Sequence, residues 1–221
     1  MSRRKLQKFK ENETRANIIQ PGKDLFESIK GNWSKLFFKN DQPIILELGC
    51  GRGEYTIGMA RLNQEINYVG IDIKGDRIWK GGKIAEAERL SNVGFLRTQI
   101  QSLENFFMEG EVREIWLTFP DPRPKKSDLK RRLTHPRFME IYRRLVAPVG
   151  TIHLKTDNAI LFNYSLEVVQ ELEGVQATVY SRDLYQSDLL TPELAIKTHY
   201  EVLFAEQGYK IKYLRFQLAT P

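Results

Sequence analysis

The chain has 221 residues, enough for one substantial hydrophobic core and short for two. It is 41% hydrophobic and 28% charged, with no apolar run near the roughly 20 residues a membrane helix needs, no apolar signal segment after its basic opening, and a single cysteine, Cys50. These features exclude a disulfide framework and predict a cytoplasmic protein without membrane contact, and a net charge of +6 points to an anionic partner.

Residues 1–20 read as a basic, polar, flexible arm, with Arg3, Arg4, Lys5, Lys8 and Lys10 near its start, and 21–221 as a single domain. The stretch KDLFESIKGNWSKLFF reads as a helical lead-in that covers one end of a sheet. From there apolar runs alternate with helical patterns, as in parallel strands joined by helical crossovers. Strands are expected at about 44–48, 67–72, 93–97, 112–118, 149–156, 175–182 and 210–218. Helices are expected at about 53–62, 75–90, 102–108, 134–146 and 158–172, with another entered from Thr191 and Pro192 and closed by Gly208. The fold class is therefore α/β: a Rossmann-like sheet of seven mostly parallel strands with helices on both faces.

The first strand runs into ELGCGRG, in which Glu47, Gly49, Gly51 and Gly53 form E-x-G-x-G-x-G. Glycines directly after a buried strand let the backbone turn tightly and approach a ligand. A carboxylate this close to the loop repels a pyrophosphate and suits a ligand carrying an amino group and a sulfonium. S-adenosylmethionine is such a ligand. The second strand, NYVGID, ends in Asp72, where α/β nucleotide folds place an acid for ribose hydroxyls. The plainer alternative is that Glu47 caps a turn and Asp72 caps the next helix. After the third strand, Thr98, Gln99 and Gln101 are polar, and Gln99 is the expected adenine neighbour.

The fourth strand ends in FPDPRPKK, where Pro120 and Pro122 restrict the backbone on both sides of Asp121. In open α/β sheets the reacting end of a substrate lies beyond the carboxyl ends of the central strands, so this carboxylate is the catalytic candidate. A solvated turn is the alternative. The order Phe-Pro-Asp-Pro differs from the D/N-P-P-Y/F tetrad that holds an exocyclic amine. Guanine N7 has a free lone pair and loses no proton before attack, so a carboxylate that stabilises the cationic product ring is sufficient. Next comes a basic block containing Lys125, Lys126, Lys130, Arg131 and Arg132, which reads as a phosphate-binding surface.

These motifs, ELGCGRG, GID, FPDPRPKK, KRRL, HLKTDN and KTHYE, occur in an order and spacing that resemble the bacterial tRNA (guanine-N7)-methyltransferases from about residue 20 to the C-terminus. The resemblance implies a class I methyltransferase fold, S-adenosylmethionine as cofactor, tRNA as partner, and methylation of guanine 46 in the variable loop. It implies cofactor contacts for Glu47 and Asp72, an active-site role for Asp121, and substrate contacts for Lys125, Asp157, Thr198, His199, Tyr200 and Glu201. The chain departs from the family pattern in carrying Arg123 where tryptophan is usual, Ser127 and Asp128 where an Arg-His pair is usual, and Gln99 where an acid is usual.

The residues after this point agree with that reading. Asp157 is a second carboxylate at the sheet edge that holds Asp121, suited to guanine N1 and N2, with a helix N-cap as its alternative. Thr198 and Glu201 are three apart and share a helix face, while Tyr200 is open to a core role. His135, His153 and His199 are scattered, and with one cysteine no metal site is expected. A monomer and a homodimer both remain open.

Overall fold

Apolar runs rich in β-branched residues build a single eight-stranded sheet in the computed structural model, which describes residues 3–205 and 208–219. The strands are β1 (Ile18–Ile19), β2 (Ile44–Leu48), β3 (Asn67–Ile71), β4 (Val93–Leu96), β5 (Val112–Thr118), β6 (Val146–Thr156), β7 (Val175–Ser181) and β8 (Lys212–Leu218). Their spatial order is β1-β4-β3-β2-β5-β6-β8-β7, parallel from β1 to β6, with β8 antiparallel to both neighbours. The order reverses between β2 and β5, so the crevice beyond their carboxyl ends is the ligand position that this topology creates.

The helices are α1 (Arg3–Thr14), α2 (Asp24–Ser28), α3 (Glu54–Leu62), α4 (Gly75–Ala87), α5 (Pro136–Leu145), α6 (Ala159–Glu171) and α7 (His199–Ala205). Successive strand residues point to opposite faces, and the core divides accordingly. Ile44, Leu46 and Leu48 join Phe138, Tyr142, Leu161 and Phe162 of α5 and α6 on one face. Ile45 joins Tyr55, Met59 and Ile78 of α3 and α4 on the other. The lead-in segment adds a π-helical turn, Trp33–Phe38, whose Trp33 stacks on Phe107 at 5.0 Å and donates its indole N–H to the Phe106 carbonyl at 2.8 Å.

Three expectations are corrected. The sheet has eight strands, because Ile18 and Ile19 pair with Phe95 and Leu96. That same segment belonged to the expected flexible arm, and α1 is also folded onto the domain. Asn12 donates to the Gly75 carbonyl at 2.8 Å, the Trp79 indole donates to Glu11 at 2.7 Å, and the Phe9 ring fills the space a side chain at Gly75 would need. The expected helix from 191 to 208 is only α7, preceded by turns, and residues 206–207 of that stretch lie outside the described residues.

Gly53 links loop to core. Its φ is +72°, and a Cβ there would lie 2.5 Å from the Phe95 ring. Gly53→Ala is expected to cost about 2–4 kcal/mol, from left-handed strain plus collision. Gly22→Ala, with φ +90° and nothing within 4 Å, should cost only the strain. Urea denaturation of both variants checks this, and equal small losses would show that Phe95 yields.

Candidate active site

Between the carboxyl ends of β2, β3 and β4 lies a cleft of about 550 Å³ lined by Gly49, Asp72, Ile73, Thr98, Gln99 and Ile100, with Arg123, Leu133 and Phe138 across from them. An inner crevice of about 100 Å³ continues behind the glycine loop and is lined by Glu47, Gly51, Arg52, Phe119, Thr198, His199 and Tyr200, among others. Gly49 belongs to both walls.

The glycine loop is closed on itself. Gly49 and Cys50 donate their N–H groups to the Ile71 carbonyl, Gly53 donates to the Cys50 carbonyl, and Gly51 donates to Asp72 Oδ2 at 3.0 Å. These amides are therefore unavailable to a pyrophosphate, which separates the loop from those that seat dinucleotides. Gly49 and Gly51 both have positive φ, and a Cβ on either would meet nothing closer than 4.0 Å. The floor of the site is open because these two positions carry no side chain. Asp72 is buried and also accepts from the Lys74 N–H at 2.8 Å, so its carboxylate is fixed at the cleft wall with lone pairs left for hydroxyl donors.

Glu47 is 2% exposed. Its carboxylate accepts from the Thr56 N–H at 2.8 Å and from the hydroxyls of Thr56 and Thr118. Burial raises its pKa to about 7, outweighing the hydrogen bonds from Thr118 and Thr56 that lower it. A carboxyl balanced this way near neutral pH gains charge when a cation arrives beside it. Cys50, also buried, lines the same crevice.

Asp121 sits on a strained loop. Phe119 and Arg123 both have left-handed backbones, with φ +48° and +46°, conformations that cost a non-glycine residue and recur at functional sites. The Arg123 N–H donates to Asp121 Oδ1 at 3.2 Å, and its guanidinium lies 3.2 Å from Oδ2. Arg132 holds this loop from below, donating to the carbonyls of Pro122 and Arg123 at 3.0 and 3.1 Å and lying over the Tyr164 ring. Arg132 is 3% exposed, so it is a brace for the loop and no part of the expected phosphate surface. Lys125, Lys126, Lys130 and Arg131 are exposed.

The second carboxylate lies at the same edge. The Phe119 N–H donates to the Lys155 carbonyl at 2.8 Å, which brings the end of β5 beside the end of β6 and Asp157. Asn158 caps α6 by accepting from the Leu161 N–H, so the N-cap role considered for Asp157 belongs to its neighbour. Asp157 is half-buried.

Thr198 caps α7 by accepting the Glu201 N–H at 3.2 Å, and Glu54 accepts the His199 N–H at 2.7 Å. His199 and Tyr200 are exposed at the crevice, whereas Glu201 is wholly buried. The Glu201 carboxylate meets Lys155 Nζ at 2.9 Å and accepts from the Tyr185 hydroxyl. Lys155 also donates to the carbonyls of Leu194 and Ile196 at 2.8 and 2.9 Å. Those carbonyls would serve a helical ladder, and their capture explains why the helix expected from Thr191 begins only at His199. Burial lowers the Lys155 pKa, and the Glu201 charge opposes that shift.

The structure thus brings Glu47, Gly49, Gly51, Asp72, Gln99, Thr198, His199 and Tyr200 onto two joined cavities, while Asp121, Lys125 and Asp157 stand on the rim loops and Glu201 in the core. Sequence reasoning missed Thr56, Thr118, Arg132 and Lys155 as supports. The lysine inside the apolar run IHLKT was the only local signal of the four.

A mostly parallel sheet with its glycine loop, acidic strand ends and reversed strand order is the architecture of a class I methyltransferase. Solved 16S rRNA methyltransferases share it: KamB at TM-score 0.61 and 17% identity over 86% of this chain and 93% of that one, and the adenine(1408)-N(1) enzyme of Catenulisporales acidiphilia at 0.63 and 14% over 86% and 94%. A family described as "Putative methyltransferase" matches residues 41–214. Proteins named tRNA (guanine-N(7)-)-methyltransferase from Cytophaga hutchinsonii and Christiangramia forsetii are 49% and 45% identical, each over 98% of this chain and 98% and 99% of their own. The chain belongs to the tRNA (guanine-N(7)-)-methyltransferase family.

The Lys155–Glu201 pair is the structural hinge of the site. Removing one partner leaves a buried charge unpaired, and Lys155→Met or Glu201→Leu alone should each cost about 3–5 kcal/mol. The double variant Lys155→Met with Glu201→Leu should recover most of that loss. Chemical denaturation of all three checks it, and an additive double loss would remove the pair from this role.

Proposed function

We propose that the protein transfers a methyl group from S-adenosylmethionine to N7 of a tRNA guanine, at position 46 of the variable loop. The observation that carries this reading is Glu47, a buried carboxyl that accepts hydrogen bonds only from Thr56 and Thr118 among the described residues, at the floor of a crevice joined to the Asp72 cleft. The donor set fits the cofactor: an acid for ribose hydroxyls, the amide side chains of Gln99 and Gln101 for adenine, a floor left open by Gly49 and Gly51, and an anionic site for a cation. The relatives' names carry guanine N7 of tRNA, and position 46 rests only on the motifs that resemble the family.

S-adenosylmethionine, when bound, supplies an electrophilic methyl group on a sulfonium. The chain's own residues do the rest. Asp72 and Gln99 orient the nucleoside end, and Glu47 favours the cationic end. Asp121 and Asp157 accept from the guanine edge and offset positive charge on the ring, so that N7 is aligned for attack. Lys155 and Glu201 position the Thr198–Tyr200 segment against the crevice, and Lys125 meets RNA phosphate. No group in the site has to take a proton from N7, so no general base is needed. Position is tested by methylating an unmodified tRNA and its guanine-46-to-adenine variant, then mapping N7-methylguanine by strand cleavage. Modification that persists in the variant would overturn the assignment.

Asp121→Asn keeps shape and removes charge. Turnover in a single-turnover assay should fall about a hundredfold, as when one preorganised electrostatic interaction is removed, while cofactor and tRNA affinities change far less. Near-normal turnover would leave Asp121 as an ordinary turn residue.

Glu47 gives a pH signature. Its pKa rises on folding from 4.5 to about 7, so its contribution to stability is fully present below pH 4.5 and is lost as pH climbs through 7. A cationic ligand reverses this by favouring the carboxylate. Cofactor affinity should therefore strengthen as pH rises from 6 toward 7.5, with proton release visible by calorimetry in buffers of different ionisation enthalpy. Glu47→Gln should abolish the release, and an unchanged release in that variant would place the titrating group elsewhere.

A further inference from the structure

The inner crevice does not end at Tyr200. Past Gly51, Arg52, Arg77 and Tyr200, which it shares with the crevice, a groove of about 340 Å³ continues outward to Lys8, Asp76, Trp79 and Lys80. This groove lies on the side of the glycine loop away from the Asp72 cleft and the basic block after Asp121, neither of which contributes its lining.

Its chemistry is cationic and aromatic. Arg52 and Arg77 are exposed, and no ion pair or hydrogen bond from either guanidinium occurs among the described residues. Lys8 Nζ lies 4.7 Å and Lys83 Nζ 5.4 Å from the Trp79 ring centroid. Trp79 is half-buried, whereas Trp33 and Trp116 are 0% and 5% exposed, so Trp79 is the accessible indole of the chain's three. The groove is also rigid. Trp79 is fixed by its hydrogen bond to Glu11, and α1 is fixed to α4 by Asn12 and by the Lys5–Asp76 contact at 3.5 Å. Lone ammonium and guanidinium groups beside an anchored aromatic ring are the elements that hold single-stranded nucleic acid, phosphates on the cations and a base on the ring.

We propose that this groove binds the RNA strand adjoining the target guanine: phosphates on Arg77, on Lys8 and on Lys83, which lies over the same ring outside the groove's lining, draw the two ammonium groups off Trp79 and let a neighbouring base stack there. The inference rests on the tRNA reading above and adds to it a second contact surface, on α1 and α4. The RNA then crosses the glycine loop and is gripped on both sides of the target: by the block after Asp121 on one, and by this groove on the other.

The test uses the full chain and unmodified tRNA, with binding followed by anisotropy across a salt series and by tryptophan fluorescence. Lys8→Ala with Lys83→Ala should lower tRNA affinity about tenfold at low salt and flatten the salt dependence by about 0.7–0.9 for each phosphate that is no longer neutralised. Cofactor affinity should stay within twofold, which also reports that the variant is folded. The charge-preserving variant, Lys8→Arg with Lys83→Arg, should keep the wild-type slope. Binding of tRNA should quench Trp79 emission, and Trp79→Phe should remove that quench. If wild-type protein binds and methylates tRNA but the alanine variant keeps the same affinity and slope, and no quench is seen, the groove is a solvated surface and the proposal is wrong while the function stands. If wild-type protein neither binds nor methylates tRNA, the function fails and this inference with it.

Discussion

The site depends on how one carboxyl is buried. Glu47 is the last residue but one of β2, accepts from Thr56 in the first turn of α3, and accepts from Thr118 at the end of β5. It therefore fastens together the three elements that flank the reversal of strand order. Burying a charge is unfavourable unless it is fully paired, and three hydrogen bonds without a cation leave Glu47 short of that. The deficit is local and directional, because the missing partner can come only from the crevice. The fold holds half of an ion pair there, which on the proposed function a cationic ligand would complete.

Lys155 shows the opposite arrangement in the same fold. All of its donors are used, by Glu201 and by two carbonyls, and three aromatic rings surround it. Nothing is left for a ligand. This closed pair fixes the chain that carries Thr198, His199 and Tyr200, while Glu47 has no cation paired with it among the described residues. The loop of Asp121 belongs between these extremes: strained at Phe119 and Arg123, braced by Arg132, and with its carboxylate held by a guanidinium that solvent can reach.

What was legible in the sequence follows from the range of the forces involved. Strands β2 to β5 were readable almost to the residue because a buried parallel strand needs an uninterrupted apolar run, and the glycines after β2 mark the loop by themselves. The acids at Glu47, Asp72 and Asp121 were readable because each stands where an apolar strand stops. The helix expected from Thr191 was misjudged because local propensity favoured it, and the group that interrupts it, Lys155, lies about forty residues away in the chain. For the same reason Arg132 looked like one more cation in a basic block. Only the folded chain shows that its guanidinium turns inward to two carbonyls. The short strand β1 and helix α1 had no apolar run of their own, and their order comes from packing against β4 and α4.

The single cysteine has a consequence of a different kind. Cys50 lies in the glycine loop, against the crevice that would hold an alkylating sulfonium, and a thiolate is a strong nucleophile toward such a group. Burial, followed by the nearby charges of Glu47 and Asp72, pushes its pKa well above that of a free thiol. The sulfur is thus kept as the weakly reactive thiol. The same carboxyls that on the proposed function would attract the donor thus also disfavour a thiolate beside it.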